Sequence, residues 1–328
     1  MIIFFVILLL VMIMLLQQWT LENGLDAVDG DFWPEENVID PGDQFDLTVK
    51  LKNSSRLPLY FLKVQHEGLD GKTVGLSTWL KPRQKMKLKF SLTAEKRGRF
   101  VLKHPKIHCG DFLGLKESKK DLPQFREVVV APAIYNTQEL KQVLGKFLGD
   151  YSVRRFIHED PILTIGFREY TGREPMKMIS WKQSAQKQTL MVREYDHTVE
   201  PVISVLVNVE TNAEEKKELL EKTFSIARSV CSNLESKGIS YDFYTNALMA
   251  GGTGNDYSVS EGVGNRHFVK VMELLGRSTY VEAFSIQKLI KMAEELGSED
   301  RGKIIITPND VAISSSDGQV LILNASLL

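Results

Sequence analysis

The apolar positions of this chain change their spacing three times. From Met1 to Leu16 the run is unbroken, MIIFFVILLLVMIMLL, and Gln17-Gln18-Trp19-Thr20-Leu21 follows. Sixteen helical residues rise roughly 24 Å, and continuing to Leu21 gives about 31 Å, close to the hydrocarbon thickness of a bilayer. Trp19 then falls at the interface level, where amphipathic aromatics collect. The run lacks the charged start and small-residue cleavage site of a secretory signal. The pattern predicts a single-pass membrane helix over 1–21. Residues 22–40 carry Glu22, Asp26, Asp29, Asp31, Glu35, Glu36 and Asp40, with no Lys or Arg before Lys50, and read as an acidic linker. Flanks free of Lys and Arg do not hold a body in the cytoplasm, so the charge pattern leans toward an extracytoplasmic one.

Over 41–135 the spacing becomes that of half-buried strands. Phe45, Leu47, Val49 and Leu51 alternate with Asp46, Thr48, Lys50 and Lys52; Met86, Leu88, Phe90 and Leu92 alternate with Lys85, Lys87, Lys89 and Ser91. Turn clusters such as Asn53-Ser54-Ser55 and Gly68-Leu69-Asp70-Gly71 separate the runs, which predicts an antiparallel β-sandwich. Thr137 to Leu148 has helical spacing, and Tyr151 to Leu163 reads as an irregular connector, so that 136–200 joins two domains. From Pro201 the pattern changes again. PVISVLVNV is a continuous apolar run suited to a parallel sheet, and an amphipathic helix follows over Glu214 to Lys237, capped by Gly238. Strands at Tyr241–Thr245, Lys303–Thr307 and Gln319–Leu323 alternate with helices at His267–Leu275 and Ser285–Leu296. The segment 201–328 is therefore expected to be a doubly wound α/β domain. The expected class is α+β multidomain.

A formal net charge of −1 over 328 residues argues against a general nucleic-acid binder. Cys109 and Cys231 fall in different domains, which predicts two free thiols. Lys85, Lys87 and Lys89 share one strand face, with Lys81, Arg83, Lys96, Arg97, Arg99, Lys103 and Lys106 nearby. This is a solvated or edge-protecting face, or a site for anionic lipid.

Between the two halves lies GFREYTGREPMKMISWKQSAQKQTLMVRE, Gly166 to Glu194. Arg168, Glu169, Tyr170, Gly172, Trp181, Lys182, Ser184 and Ala185 resemble the core of the domain of unknown function 58 family. Arg173-Glu174-Pro175, Lys177 and Gln186 depart from its pattern. The resemblance implies a von Willebrand factor A-like domain behind this segment. It also implies a MoxR-type AAA ATPase and a transglutaminase-like membrane protein as partners, and paired membrane helices with a cytoplasmic body. Only one such helix is present here. A metal-binding domain of that kind ends its first strand in Asp-x-Ser-x-Ser, but this chain has Asn208-Val209-Glu210-Thr211-Asn212. The fourth-strand Thr-Asp-Gly corresponds to Thr307-Pro308-Asn309-Asp310. Asn208, Glu210, Asn212, Thr307 and Asp310 could offer oxygens to a degenerate Mg²⁺ site, but only Glu210 and Asp310 carry charge, so a vestigial, metal-free site and no cofactor are expected.

The residues themselves suggest that Arg168, Glu169 and Lys182 pair beneath Trp181 as an interdomain joint or partner surface. A hydrolase with Ser184 as nucleophile and Lys182 as base is the catalytic alternative, though no triad surrounds them. His104-x-x-x-His108-Cys109 sits on a strand, where that spacing splays zinc ligands apart. His158-Glu159-Asp160 reads as a solvated loop. Gly251-Gly252-Thr253-Gly254 lacks the Lys-Ser/Thr of a phosphate loop. The whole reads as a membrane-anchored, non-enzymatic protein-interaction scaffold, with a metal-dependent adhesion module as the other alternative.

Overall fold

The computed structural model describes residues 2–56, 58–110, 117–155, 164–172, 174–195, 202–211, 216–251, 256–296, 301–309 and 320–328. The chain divides into two compact units. Unit 1 comprises Met1–Ala133, Met249–Gly254 and Met272–Thr279; unit 2 comprises Ile134–Leu248, Asn255–Val271 and Tyr280–Leu328.

Unit 1 begins with α1 (Ile2–Gly24). From Ile3 to Leu15 its side chains are apolar, and all are exposed except the half-buried Ile13. Among the described residues no helix is long and apolar enough to cross a membrane, so the expected span is not found there. Among the described residues ten strands follow: β1 (Val28–Pro34), β2 (Val38–Ile39), β3 (Gln44–Asn53), β4 (Leu59–Glu67), β5 (Thr73–Leu80), β6 (Lys85–Thr93), β7 (Gly98–Leu102), β8 (Lys106–Gly110), β9 (Glu117–Asp121) and β10 (Arg126–Val130). They form sheets in the orders β1-β3-β6, β2-β10-β7 and β5-β4-β8-β9. Their inner faces meet in one core containing Val28, Phe32, Leu47, Leu51, Leu62, Val64, Phe90, Ile107 and Val128. This is a β-sandwich in which alternation sends every second side chain inward, each large apolar one contributing roughly 1.5–3 kcal/mol by burial.

The stretch expected to be an acidic linker is part of this core. β1 pairs antiparallel with β3 from Val28↔Asn53 to Pro34↔Leu47, and β2 pairs with β10. Val28 and Phe32 point inward and are fully buried, while Asp29 is exposed. The acidic side chains hid a strand. The unit's own boundary falls after Ala133, two residues before the expected one.

In unit 2, α2 (Gln138–Arg155) runs past its expected end into the supposed connector; 156–163, with His158-Glu159-Asp160, lie outside the described residues. β11 (Thr164–Glu169) and β12 (Met191–Tyr195) pair as an antiparallel hairpin, with a single 3-10 turn (Met176–Met178) and α3 (Trp181–Lys187) between them. The family-like segment is thus a folded module. Then come β13 (Val202–Val207), α4 (Lys216–Ser236), β14 (Ser240–Thr245), β15 (Ala247–Met249), β16 (Ser258–Gly262), α5 (Asn265–Arg277), β17 (Ser278–Glu282), α6 (Ile286–Leu296), β18 (Gly302–Thr307) and β19 (Val320–Asn324), of which Met249 and Met272–Thr279 count with unit 1. β15 and β17 form a short two-stranded sheet of their own.

The main sheet has the order β16-β14-β13-β18-β19, parallel except for the antiparallel edge β16. Leu206, Tyr244 and Ile305 face α6, clustering with Ile286, Leu289 and Ala293. α4 packs against β13, β14 and β18. Gly238, at φ +66, ends α4 in the left-handed turn that glycine tolerates best, with the Ile239 N–H on the Leu234 carbonyl at 3.0 Å. The Tyr151 hydroxyl donates to the Val202 carbonyl at 3.0 Å and accepts the Gly302 N–H at 2.9 Å, joining the starts of β13 and β18.

Candidate functional site

In an open parallel sheet, ligands bind beyond the strand C-termini where the chain reverses its winding. That point lies beside β13, whose neighbours are β14 on one side and β18 on the other. Asn208 follows β13, Asn246 follows β14, and Thr307 closes β18; all three are buried. Asn246 Nδ2 donates to Asn208 Oδ1 at 2.8 Å and to the Phe284 carbonyl at 3.0 Å, while Asn246 Oδ1 accepts the Val209 N–H at 2.9 Å. Asn208 Oδ1 also accepts the Glu210 N–H at 3.1 Å, and Asn208 Nδ2 donates to Thr307 Oγ1 at 3.3 Å. Thr307 Oγ1 donates to the Asn309 carbonyl at 3.0 Å, and Asn309 Nδ2 donates to Thr211 Oγ1 at 2.7 Å.

Backbone N–H groups fix the orientation of both amides, because only an oxygen can receive them. Asn208 therefore turns its nitrogen, a donor, toward Thr307. Glu210, the one described carboxylate among the expected donors, accepts the Ile286 N–H at the start of α6 at 3.2 Å. A divalent cation needs several convergent, unoccupied oxygens, and this set offers a donor where a ligand is wanted. The described residues do not fit a Mg²⁺ ion. Asn212 and Asp310 lie outside the described residues. Sequence reading missed Asn246, although the expected strand Tyr241–Thr245 runs directly into it.

The hairpin module gathers the other expected site residues. Arg168 pairs with Glu174 at 2.5 Å, not with Glu169 or Lys182. Glu174 also accepts the Thr171 N–H at 3.1 Å and the Thr171 hydroxyl at 2.8 Å, which closes the loop around Gly172, at φ +87. The Arg168 guanidinium, with the Thr171 hydroxyl beside it, holds the Glu174 carboxyl down to about 2. The expected pairing beneath Trp181 is therefore corrected: Trp181 is 63% exposed, and Glu169, Lys182 and Ala185 are exposed as well. Tyr170 is half-buried and donates its backbone N–H to the Leu190 carbonyl at 2.8 Å.

Ser184 is buried. Its hydroxyl donates to the Ser180 carbonyl at 2.8 Å and accepts the Met191 N–H at 2.8 Å, which staples α3 to β12. Lys182 stands two positions earlier on the same helix, roughly 200° around its axis, so it cannot act as the base for Ser184. Phe167, Met176 and Leu190 are also exposed on this module.

The remaining motifs disperse. His104 stacks edge-on against Phe125 with ring centroids 4.9 Å apart, and His108 Nδ1 lies 3.5 Å from Glu117. Among the described residues no group of three His, Cys, Asp or Glu could hold a metal. Cys109 and Cys231 are both free and buried, and burial pushes both thiols up. Gly251 has φ +70, and 252–254 lie outside the described residues. Arg97 donates to the Leu275 and Ser278 carbonyls at 2.7 and 2.6 Å, and Arg99 pairs with Glu127 at 2.6 Å, so both are committed within unit 1.

No family model matches the chain, and no curated protein is similar to it. Among solved structures, the CARDB domain of the PF1109 protein from Pyrococcus furiosus, in complex with di-metal ions, is similar at 15% identity. That match covers 31% of this chain and 91% of the domain, with a TM-score of 0.23. The solution structure of the same domain matches at 15% identity, over 32% of this chain and 94% of the domain, at a TM-score of 0.22. The C-terminal domain of wzt matches at 14% identity, over 33% and 75%, at a TM-score of 0.24. At these scores the likenesses assign no role to any residue here.

Proposed function

We propose that this chain is a membrane-anchored, non-enzymatic scaffold that binds protein partners through its hairpin module. The exposed Trp181 carries this reading. A tryptophan held open on a short helix, in a module whose Ser184 and Glu174 are spent on internal hydrogen bonds, is costly to leave in water and suited to an interface. The membrane part rests on α1, whose apolar side chains from Ile3 to Leu15 are exposed apart from the half-buried Ile13; the sequence stays apolar through Leu16.

The resemblance to the domain of unknown function 58 family supplies the candidate partners, a MoxR-type AAA ATPase with a transglutaminase-like membrane protein nearby. It also supplies the von Willebrand A-like reading of the second half. A metal-dependent adhesion module fits less well, because the strand-end amides satisfy one another. So does a Ser184/Lys182 hydrolase, whose two groups face apart.

The test is co-purification of the detergent-solubilised full chain with such an ATPase, in the presence and absence of ATP. Trp181→Ala should reduce the retained ATPase about tenfold, as for a desolvated interface aromatic, with an unchanged melting temperature. Equal retention by both proteins sinks the hairpin as the docking surface.

A further inference from the structure

α1 joins unit 1 beside two loops that the sequence keeps far apart. The Ser54 N–H donates to the Ala27 carbonyl at 2.7 Å, three residues past the end of α1. The Asn53 N–H donates to the Gln84 carbonyl at 2.9 Å, and Asn53 Nδ2 donates to the Lys81 carbonyl at 3.1 Å. The β3–β4 turn and the β5–β6 turn thus meet at the end where the chain emerges from α1.

That end carries Lys52, Arg56, Lys81, Arg83 and Lys85, all exposed. Lys52 and Lys85 are cross-strand partners, a like-charge pairing that destabilises an isolated sheet. Asp26 and Asp29 lie at the same end, and Asp29 stands opposite Lys52 in the register but accepts the Ser54 hydroxyl at 2.9 Å. The described cations at this end outnumber its described carboxylates, Asp26 and Asp29, which leaves the face basic.

Aromatic rings stand among these cations. A register shift between Leu59 and Leu62 in β4 turns Tyr60 and Phe61 outward, 42% and 62% exposed. Trp79, 50% exposed, lies on the last turn-ward residues of β5, with the Lys81 ammonium 5.6 Å from its ring centre. Phe61 and Arg83 both hold positive φ, at 55° and 56°, a conformation that bulky side chains adopt only under constraint. Exposed aromatics interleaved with Lys and Arg beside an apolar helix are the chemistry of a bilayer interface: rings at the headgroup level, cations on the phosphates.

We propose that this end of unit 1 is a second membrane contact, which seats on anionic phospholipid headgroups around α1. The inference rests on α1 being the anchor, and its test separates the two. An environment-sensitive dye is placed on Ser77→Cys, on the same β5 face as Trp79, or on Lys72→Cys, in the turn just before the opposite end of that strand. Both native cysteines are buried, so labelling is selective. The labelled full chain is reconstituted into vesicles of phosphatidylcholine alone or with about 30% phosphatidylglycerol, carrying a headgroup nitroxide quencher.

Quenching of the Ser77 dye should rise at least about threefold with the anionic lipid, and the Lys72 dye should not respond. The combination Lys52→Gln, Lys81→Gln, Arg83→Gln and Lys85→Gln, or high salt, should abolish the rise. Flotation with both vesicle types but equal Ser77 quenching overturns this proposal and leaves the anchor standing. Flotation with anionic vesicles alone supports the basic face and removes the anchor; flotation with neither removes both.

Discussion

Asn246 and Asn208, at the ends of neighbouring parallel strands, share an amide hydrogen bond of 2.8 Å, and backbone N–H groups dictate which way each amide faces. The strand ends where a ligand is expected in this class of sheet are therefore occupied by the protein's own polar groups. A neutral, mutually satisfied network stabilises the connection between strands and offers little to a cation.

Asn246→Ala should cost about 2–4 kcal/mol, because it leaves the buried Val209 N–H without a partner and removes one of the two donors to the Asn208 oxygen. Chemical denaturation of the variant against the parent measures this. A loss under about 0.5 kcal/mol, the range of an ordinary surface substitution, would mean that the network contributes little.

Millimolar Mg²⁺ or Mn²⁺ should leave the melting temperature of the full chain unchanged. Any ion bound only by the folded state raises stability by mass action, so a rise growing with the logarithm of metal concentration would refute the closed network.

Ser184→Ala should destabilise by roughly 1–3 kcal/mol through the orphaned Met191 N–H. Lys182→Ala, on the exposed side of α3, should fall within about 0.5 kcal/mol of the parent. A serine-reactive probe should label the parent and Ser184→Ala equally. Selective labelling of the parent would revive a nucleophilic role for Ser184.

His66, on β4, is buried with both ring nitrogens lacking a hydrogen-bond partner among the described residues, and burial lowers it to about 4. The unfolded chain takes up this proton near pH 6.5 and the folded chain only near 4. Stability should therefore fall as pH drops through that window and level off below it. The slope integrates to on the order of 3 kcal/mol. His66→Phe should flatten this part of the pH–stability curve; an unaltered slope would assign it elsewhere.

Much of the architecture was legible because burial follows period. In β3, Phe45, Leu47, Val49 and Leu51 are buried as their alternation required, and β13, β14, β18 and β19 lie within a residue or so of their apolar runs. β1 was missed because Asp29 and Asp31 occupy its outward positions and Gly30, packed against Leu122, contributes no side chain to the pattern. β11 and β12 were missed because charged residues crowd a hairpin that buries few side chains. The partner of Arg168 was misjudged for a different reason. Glu174 reaches it across a loop closed by Thr171, a geometry that spacing alone does not encode.

The Tyr151 hydroxyl bridges the first residues of β13 and β18, while Asn208 and Thr307 meet at their far ends. The innermost strand pair is thus bolted at top and bottom by side chains from outside its own ladder. Sliding one strand along the other by even two residues, which would keep every apolar side chain on its proper face, would break both bolts at once. Misaligned pairing of the most buried strands is thereby penalised by polar groups, where greasy packing by itself would be indifferent.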